Sequence, residues 1–288
     1  ELQQDALDYG DGRRSPLVSR QAAQALNETA LVINEPLTVI LSQKGWIRAA
    51  KGHDIEVQSL NYRAGDSFHT AVKTRSTQPI YLFDSTGRVY SSSTHDLPSA
   101  RTQGEPLTGR FNPPDGAIFT HLLAGNADDT VVLVNHWGYG FKTTLKECLS
   151  KNKAGKALVT LANNEHLLPP LLTTDDNQQL AVVTAQGRLL IFPLNELPTL
   201  PKGKGNKLIQ IATADLHSGT DFVTAFTLLP PETALKVISG KRTLTLKIQD
   251  LEPYMGYRAK RGFALPRGFQ RVEGLEWESD LRTKVTSP

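Results

Sequence analysis

The sequence predicts an all-β fold of five propeller-like, four-stranded blades, preceded by a short helical and linker segment. Three observations predict it. First, an apolar segment, a short polar turn with glycine and a second apolar segment recur at residues 39–47, 80–89, 131–139, 180–189 and 235–244, and each reads as a β-hairpin. Second, a glycine followed three residues later by Leu or Ile recurs at Gly52, Gly104, Gly155, Gly205 and Gly262, in steps of 52, 51, 50 and 57 residues. Third, a period near fifty residues built from hairpins belongs to stacked blades, because one such unit is too small to bury its own apolar face and must pack on its neighbours.

Taken in order, residues 1 to 9 carry Leu2, Ala6 and Leu7 at helical spacing and stop at the turn-rich Tyr9-Gly-Asp-Gly12. Arg13-Arg-Ser-Pro16 reads as an exposed linker and Arg20 to Glu28 as a short helix. Pro36 closes the connector before the first strand. Residues 1–37 are therefore the helical end and linker, and the blades cover 38–78, 79–129, 130–178, 179–233 and 234–280, with a disordered polar tail at 281–288. A Leu after an acid, at Asp96-Leu97, Glu196-Leu197 and Asp250-Leu251, marks strand ends that tuck a Leu into the core. The proline pairs Pro113-Pro114, Pro169-Pro170 and Pro230-Pro231 fall at outer connections, where they blunt strand pairing.

Composition bounds the function. With 39% hydrophobic and 21% charged residues in 288, the chain can bury a sizeable core. Thirty-two Lys and Arg against 29 Asp and Glu leave +3, so total charge does not announce a nucleic-acid partner. Clustering does: Arg258, Lys260, Arg261, Arg267 and Arg271 lie between Pro253 and Val272 with no acid among them. Cys148 is the single cysteine, which excludes an intramolecular disulfide, fits a reducing compartment and reads as a small buried apolar residue. No apolar run approaches the roughly 20 residues that span a bilayer, and Glu1-Leu-Gln-Gln-Asp5 has no signal-peptide feature, so the expected location is cytoplasmic. Lacking an initiator Met and opening mid-pattern, the chain reads as a domain cut from a longer polypeptide.

Motifs for chemistry fail one by one. The seven histidines (His53, His69, His95, His121, His136, His166 and His217) have no paired spacing, and one cysteine cannot complete a zinc site, so no metal is expected. Gly155-Lys156 resembles a phosphate loop, but Ser150 replaces its first Gly and Ala157 its hydroxyl residue. Gly203-Lys-Gly205 and Gly138-Tyr-Gly140 lack the third Gly of a dinucleotide fingerprint, with Leu208 and Thr143 there instead. No Gly-x-Ser-x-Gly elbow exists. No catalytic residue is assigned.

The glycine loops are basic: Lys51-Gly-His-Asp-Ile55, Arg101-Thr-Gln-Gly-Glu-Pro-Leu107, Lys151-Asn-Lys-Ala-Gly-Lys-Ala-Leu158, Pro201-Lys-Gly-Lys-Gly-Asn-Lys-Leu208 and Lys260-Arg-Gly-Phe-Ala-Leu265. Any one loop is readily explained as solvated charge. Five at one structural position align into a basic band on one rim, where glycines let main-chain N–H groups approach a phosphate backbone. Nothing resembles a base-reading helix or a stacking platform, so sequence-independent contacts to double-stranded DNA are expected. Bending DNA by 40 to 90° costs on the order of 1 to 6 kcal/mol, which about ten distributed cations can offset. The candidate contacts are Lys44, Arg48 and Lys51 in the first unit, Arg88, Arg101 and Arg110 in the second and Lys151, Lys153 and Lys156 in the third. Arg188, Lys202, Lys204 and Lys207 follow in the fourth, and Arg258, Lys260, Arg261 and Arg271 in the fifth. The alternatives are a propeller used as a protein-interaction scaffold, and a propeller enzyme with an axial site, for which no carboxylate or histidine cluster is visible.

The stretch Gln43-Lys-Gly-Trp-Ile-Arg-Ala-Ala-Lys-Gly-His-Asp54, with Asn61-Tyr-Arg-Ala-Gly-Asp66, Gln103-Gly-Glu-Pro-Leu-Thr-Gly109, Lys202-Gly-Lys-Gly-Asn-Lys207 and the last Arg-Gly-rich loop, closely resembles the C-terminal domains of the A subunits of bacterial topoisomerase IV. The resemblance covers essentially the whole chain. It implies a β-pinwheel, a propeller-like disc whose blades exchange strands, joined by a linker to the DNA-cleaving core of a type II topoisomerase. Residues 1–37 then resemble the end of the core's coiled coil plus that linker.

The resemblance also places the nucleophilic tyrosine in that upstream core, so this part would hold and bend DNA without cutting it, steering ATP-dependent decatenation and relaxation, especially of positive supercoils. No cofactor belongs to this part; magnesium in the core and ATP on the B subunit serve the parent A2B2 enzyme. A monomeric isolated domain, a nucleoid-associated location and a peripheral association of the parent with the inner membrane are likewise implied. The alternative within the resemblance is the equivalent domain of DNA gyrase A, but related gyrase domains carry a Gln-Arg-Arg-Gly-Gly-Lys-Gly box where this chain reads Ala49-Ala-Lys-Gly-His-Asp54, a departure that argues against tight chiral wrapping and negative supercoiling. In gammaproteobacterial relatives the last blade also contacts a condensin hinge through basic residues, whose positions Arg242 and Arg267 occupy here.

Overall fold

The computed structural model describes residues 1–10 and 33–279. The linker at 13–16, the helix expected at Arg20 to Glu28 and the tail at 281–288 lie outside the described residues. Residues 1–32 form a unit of their own, in which α1 (Leu2–Asp8) is a short helix with every side chain exposed. The second unit begins at Ile33 and holds every sheet.

Five hairpins form where the apolar–turn–apolar pattern places them: β1 (Pro36–Ser42) with β2 (Trp46–Lys51), β4 (Pro79–Asp84) with β5 (Arg88–Ser93), β8 (Thr130–Val134) with β9 (Tyr139–Thr144), β12 (Gln179–Thr184) with β13 (Arg188–Pro193), and β16 (Thr233–Ser239) with β17 (Arg242–Leu246). A third strand returns antiparallel on the outer side of each first strand. These returns are β3 (Phe68–Arg75), β7 (Phe119–Ala124), β11 (Leu171–Thr173), β15 (Val223–Leu229) and β19 (Gly274–Ser279).

The fourth strand comes from the next unit along the chain. The two-residue strands β6 (Glu105–Pro106), β10 (Lys156–Ala157), β14 (Asn206–Lys207) and β18 (Phe263–Ala264) pair with the starts of β2, β5, β9 and β13, giving the orders β3-β1-β2-β6, β10-β5-β4-β7, β11-β8-β9-β14 and β15-β12-β13-β18. Each of these four sheets is thus completed by residues 58 to 76 positions downstream of their partners in its own hairpin, and the contiguous spans read from the sequence are interleaved. The fifth sheet, β17-β16-β19, has three strands among the described residues.

The first strands of the second, third and fourth hairpins are buried on both faces, so their alternate residues serve two different cores. Ile80 and Leu82 enter the cluster shared with the first sheet, whereas Tyr81 and Phe83 enter the one shared with the third. Val131 and Leu133 face back, Val132 and Val134 forward; Leu180 and Val182, then Ala181 and Val183, repeat the division. Four apolar cores result, one between each pair of successive sheets, and none of them draws on both the first and the fifth sheet.

The recurring glycine has a local cause. Gly205, at φ +79°, lies so close to β9 that a Cβ would collide with the backbone of Gly140, and Gly104, at φ +87°, would collide likewise with the Ile47 carbonyl. Three residues after each donated-strand glycine, Leu107, Leu158, Leu208 and Leu265 are buried, at 5% exposure or less. Each anchors its donated strand by roughly 2 kcal/mol of apolar burial. Gly52 belongs to the sequence pattern but not to this geometry: nothing lies within 4 Å of where its Cβ would stand, no donated strand follows, and Ile55 is only half-buried. The Leu residues after acids, Leu97, Leu197 and Leu251, are buried as expected. They close short helical turns at Thr94–Asp96, Leu194–Glu196 and α2 (Ile248–Leu251), rather than ending strands.

Candidate nucleic-acid interface

Four basic loops, at residues 98–104, 149–155, 198–205 and 255–262, each lead into a donated strand. Three of them join the receiving sheet's second strand through parallel bridges, at Ala49↔Ser99, Lys142↔Thr199 and Ile191↔Met255. In the second sheet the Ser91 hydroxyl does this work, donating to the Ser150 carbonyl and accepting the Ser150 N–H.

Neighbouring loops are tied into one band. Asn112 N–H donates to the Lys153 carbonyl, Thr160 N–H to the Gly203 carbonyl and Gln210 N–H to the Lys260 carbonyl, at 2.8, 3.0 and 2.9 Å. In each case the donor follows one donated strand and the acceptor belongs to the next loop. These three bonds hold successive loops edge to edge and fix their order along the band.

The predicted cations fall into two groups. Arg48 is 3% exposed. Its guanidinium donates to the Asn61 and Thr102 carbonyls at 3.0 Å and lies 4.7 Å from the Tyr62 ring, so it pins the 52–67 segment to the first sheet rather than facing a ligand. Arg88 donates to the Ala154 and Gly155 carbonyls and Arg188 to that of Gly262, so both hold a donated loop. Arg110 pairs with Glu105 and also reaches Ser92 and the Asp96 carbonyl. Arg258 is fixed to the carbonyls of Glu196 and Lys207.

Three lysines are also engaged. Lys51 pairs with Glu35 and Lys156 with Glu147. Lys204 sits 3.1 Å from the fully buried Glu165 carboxylate and 4.4 Å from the Tyr139 ring. Glu165 also accepts from Asn135 Nδ2 and the Ala162 N–H, so Lys204 neutralises a charge that the fold has already buried. Lys207 is half-buried, 5.7 Å from Tyr139.

The second group is exposed and has no hydrogen-bond or ion-pair partner for its side chain among the described residues: Lys44, Arg101, Lys151, Lys153, Lys202, Lys260, Arg261 and Arg271. Lys44 stands apart on the β1–β2 turn. There Asp66 accepts from Ser42 Oγ and from the N–H groups of Lys44 and Ser67; burial acts to raise its pKa, but these bonds prevail and hold the carboxyl below its ordinary value. Arg101, Lys151, Lys153, Lys202, Lys260 and Arg261 occupy the four tied loops. Arg242 and Arg267 are exposed on the fifth sheet's side. With Lys241, which the sequence pattern does not single out, Arg242 and Arg271 line a recess of about 360 Å3 that no acid enters.

Beside the third loop, His136 and His166 stack with ring centroids 3.8 Å apart, next to a hollow of about 680 Å3 bordered by Trp137, Asn163 and His217. Burial lowers the pKa of both histidines, and their mutual repulsion lowers that of His136 further. Cys148 is fully buried and its thiol is pushed up to about 12, chiefly by burial, so it packs as an apolar residue. Among the described residues no group of three or more His, Cys, Asp or Glu could hold a metal ion, and no helix is long and apolar enough to cross a membrane.

Sheets completed by strands from the following unit, stacked through four apolar cores, define a β-pinwheel. Known proteins sharpen that class. Residues 178–229 match the family described as DNA gyrase C-terminal domain, beta-propeller. The chain is 50% identical over 276 residues to the DNA topoisomerase 4 A subunit of Pseudomonas aeruginosa and 46% identical over 282 residues to that of Escherichia coli K12, covering 96% and 98% of this chain and 37% of each relative. The chain thus spans little more than a third of the length of these relatives. The solved structure of the E. coli ParC C-terminal domain superposes with a TM-score of 0.78 at 45% identity, covering 85% of this chain and 99% of that one. The chain belongs to the family of C-terminal domains found in topoisomerase IV A subunits.

Proposed function

We propose that this domain holds double-stranded DNA along the band of four tied loops and bends it, without cutting it, for the core of a topoisomerase IV. The observation that carries the reading is the sorting of cations. Side chains that support the fold are paired inward, whereas Arg101, Lys151, Lys153, Lys202, Lys260 and Arg261 stand exposed without partners, among the described residues, on loops joined edge to edge. Cations on neighbouring loops tied into one edge can meet phosphates without reading bases, and each neutralised phosphate releases counterions. In the parent enzyme the domain would steer ATP-dependent decatenation and relaxation within an A2B2 assembly in the cytoplasm at the nucleoid, with magnesium and the nucleophilic tyrosine in the core and ATP on the B subunit.

A salt series with a duplex of about 40 base pairs tests this. Log affinity against log salt is expected to slope near −5, the value for about six phosphates. Reversing Lys153, Lys202 and Lys260 to Glu is expected to flatten that slope while leaving the melting temperature unchanged. Lys204 is excluded from the set because its loss would leave Glu165 buried without its cation. A wild-type slope near zero would overturn the reading. The acid-free recess at Lys241, Arg242 and Arg271 favours a second role for the last sheet, contact with an acidic protein partner such as a condensin hinge, with Arg267 beside it.

A further inference from the structure

We propose that Tyr257 and Phe263 form an aromatic wedge at the fourth basic loop that enters a base step of the bound duplex and kinks it there, an inference that rests on the DNA-holding role above. Tyr257 is 73% exposed and Phe263 59%, and neither ring stacks on another ring among the described residues. They flank Lys260 and Arg261, both exposed. The corresponding positions in the other three loops, five before and one after the glycine, are Ser99 and Glu105, Ser150 and Lys156, and Leu200 and Asn206. Of the four loops, the fourth alone carries large rings of its own at these two positions.

The loop that carries them is pinned. Gly256 N–H donates to the Ile191 carbonyl at 2.9 Å and Ala259 N–H to that of Leu208 at 2.7 Å, while Lys260 accepts from Gln210. The Arg258 guanidinium bonds the Glu196 and Lys207 carbonyls. Ala259 is held at φ +66°, a conformation a side-chain-bearing residue adopts only where its surroundings enforce it. A surface element this firmly held loses little freedom on binding.

No acid occurs from Pro253 to Val272, so the element suits a polyanion. Exposed apolar side chains beside cations are the means by which architectural proteins unstack a base step, the cations holding nearby phosphates while the ring replaces a stacking partner. Sequence reading assigns aromatic residues to the core by default, and for this reason the pattern Tyr-Arg-Ala-Lys-Arg-Gly-Phe at 257–263 does not stand out there as a stacking site.

The test uses the whole 288-residue chain. Tyr257→Ala with Phe263→Ala is compared with Lys260→Ala with Arg261→Ala on the same duplex, by affinity across salt, end-to-end energy transfer for bending, and permanganate reactivity of unstacked thymines. The aromatic pair is expected to lose about fivefold affinity or more at every salt with its slope unchanged, since stacking releases no counterions, and to lose the bend and the reactive thymines. The cation pair is expected to flatten the slope by about 2. Wild-type protein that binds with a steep slope yet produces no reactive thymine overturns the wedge and leaves the DNA-holding role standing. Unchanged affinity and bend in the aromatic pair does the same, as does an aromatic pair that loses only affinity for polyglutamate, which would mark a protein-docking surface. Wild type with no salt-dependent binding removes both readings.

Discussion

The loop at Gly52 and the loop at Gly205 share one sequence pattern: each has lysine before a glycine that is followed three residues later by a branched apolar residue. In the structure, Gly205 touches the backbone of β9, starts a donated strand and is followed by the fully buried Leu208. Gly52 is bonded to β1 through the Pro36 carbonyl and the Thr38 hydroxyl, but a Cβ there would meet nothing, and the segment after it turns back over the first sheet, where Arg48 receives its Asn61 carbonyl and Tyr62 ring. The repeat therefore records the place in each unit from which a strand is donated, and only an upstream sheet among the described residues makes the donation real.

The largest expected effect breaks this comparison directly. Gly205→Ala combines left-handed strain with a collision against Gly140 and is expected to lower unfolding free energy by about 2–4 kcal/mol in urea denaturation. Gly52→Ala, strained but unobstructed, should lower it by about 1 kcal/mol. Equal losses would mean the donated strand contributes nothing specific.

Next, Arg48→Ala removes two charged hydrogen bonds from a buried site and should cost about 2–3 kcal/mol, while loosening the 52–67 segment to limited proteolysis. A smaller effect concerns the histidines beside the third loop. The folded state depresses the pKa of His136 and His166, so their contribution to stability is complete above the unfolded value near 6.5 and is lost as pH falls below it toward the folded values. The melting temperature should drop on acidification from neutral pH to about pH 5, and less so in His136→Gln. Smallest of all, Lys51→Ala breaks an exposed ion pair with Glu35 and should change stability by less than about 0.5 kcal/mol.

What the sequence could and could not disclose follows from the range of each signal. The hairpins are local: alternate burial on two faces produces runs such as Val131–Val134, and a glycine turn closes them, so their places were legible, although the second strands run two to five residues beyond the apolar segments. The donated strands are two residues long, too short for any periodicity, and only the evenly spaced glycine pointed to them. Their exchange between sheets became an expectation through family resemblance rather than through the residues themselves.

The cations were legible as a set but not individually. Arg48, Arg88 and Arg188 stand in strands whose neighbours in sequence carry no sign of the carbonyls they meet 50 or more residues away. Lys202 and Lys204, two residues apart, separate only because Glu165 is buried beneath one of them. The side chains that face outward were those the sequence could not single out, because exposure depends on the absence of a distant partner.

The exchange of strands also sets an order in time. A chain emerging from the ribosome finishes the hairpin of its first sheet by Lys51 and the third strand by Arg75, yet that sheet stays one strand short until Glu105 and Pro106 have been made. Every later sheet but the last waits in the same way for the unit behind it. Synthesis therefore runs one unit ahead of assembly, and a chain arrested near residue 200 would carry two unfinished sheets, the third still open where β14 belongs and the fourth lacking both outer strands.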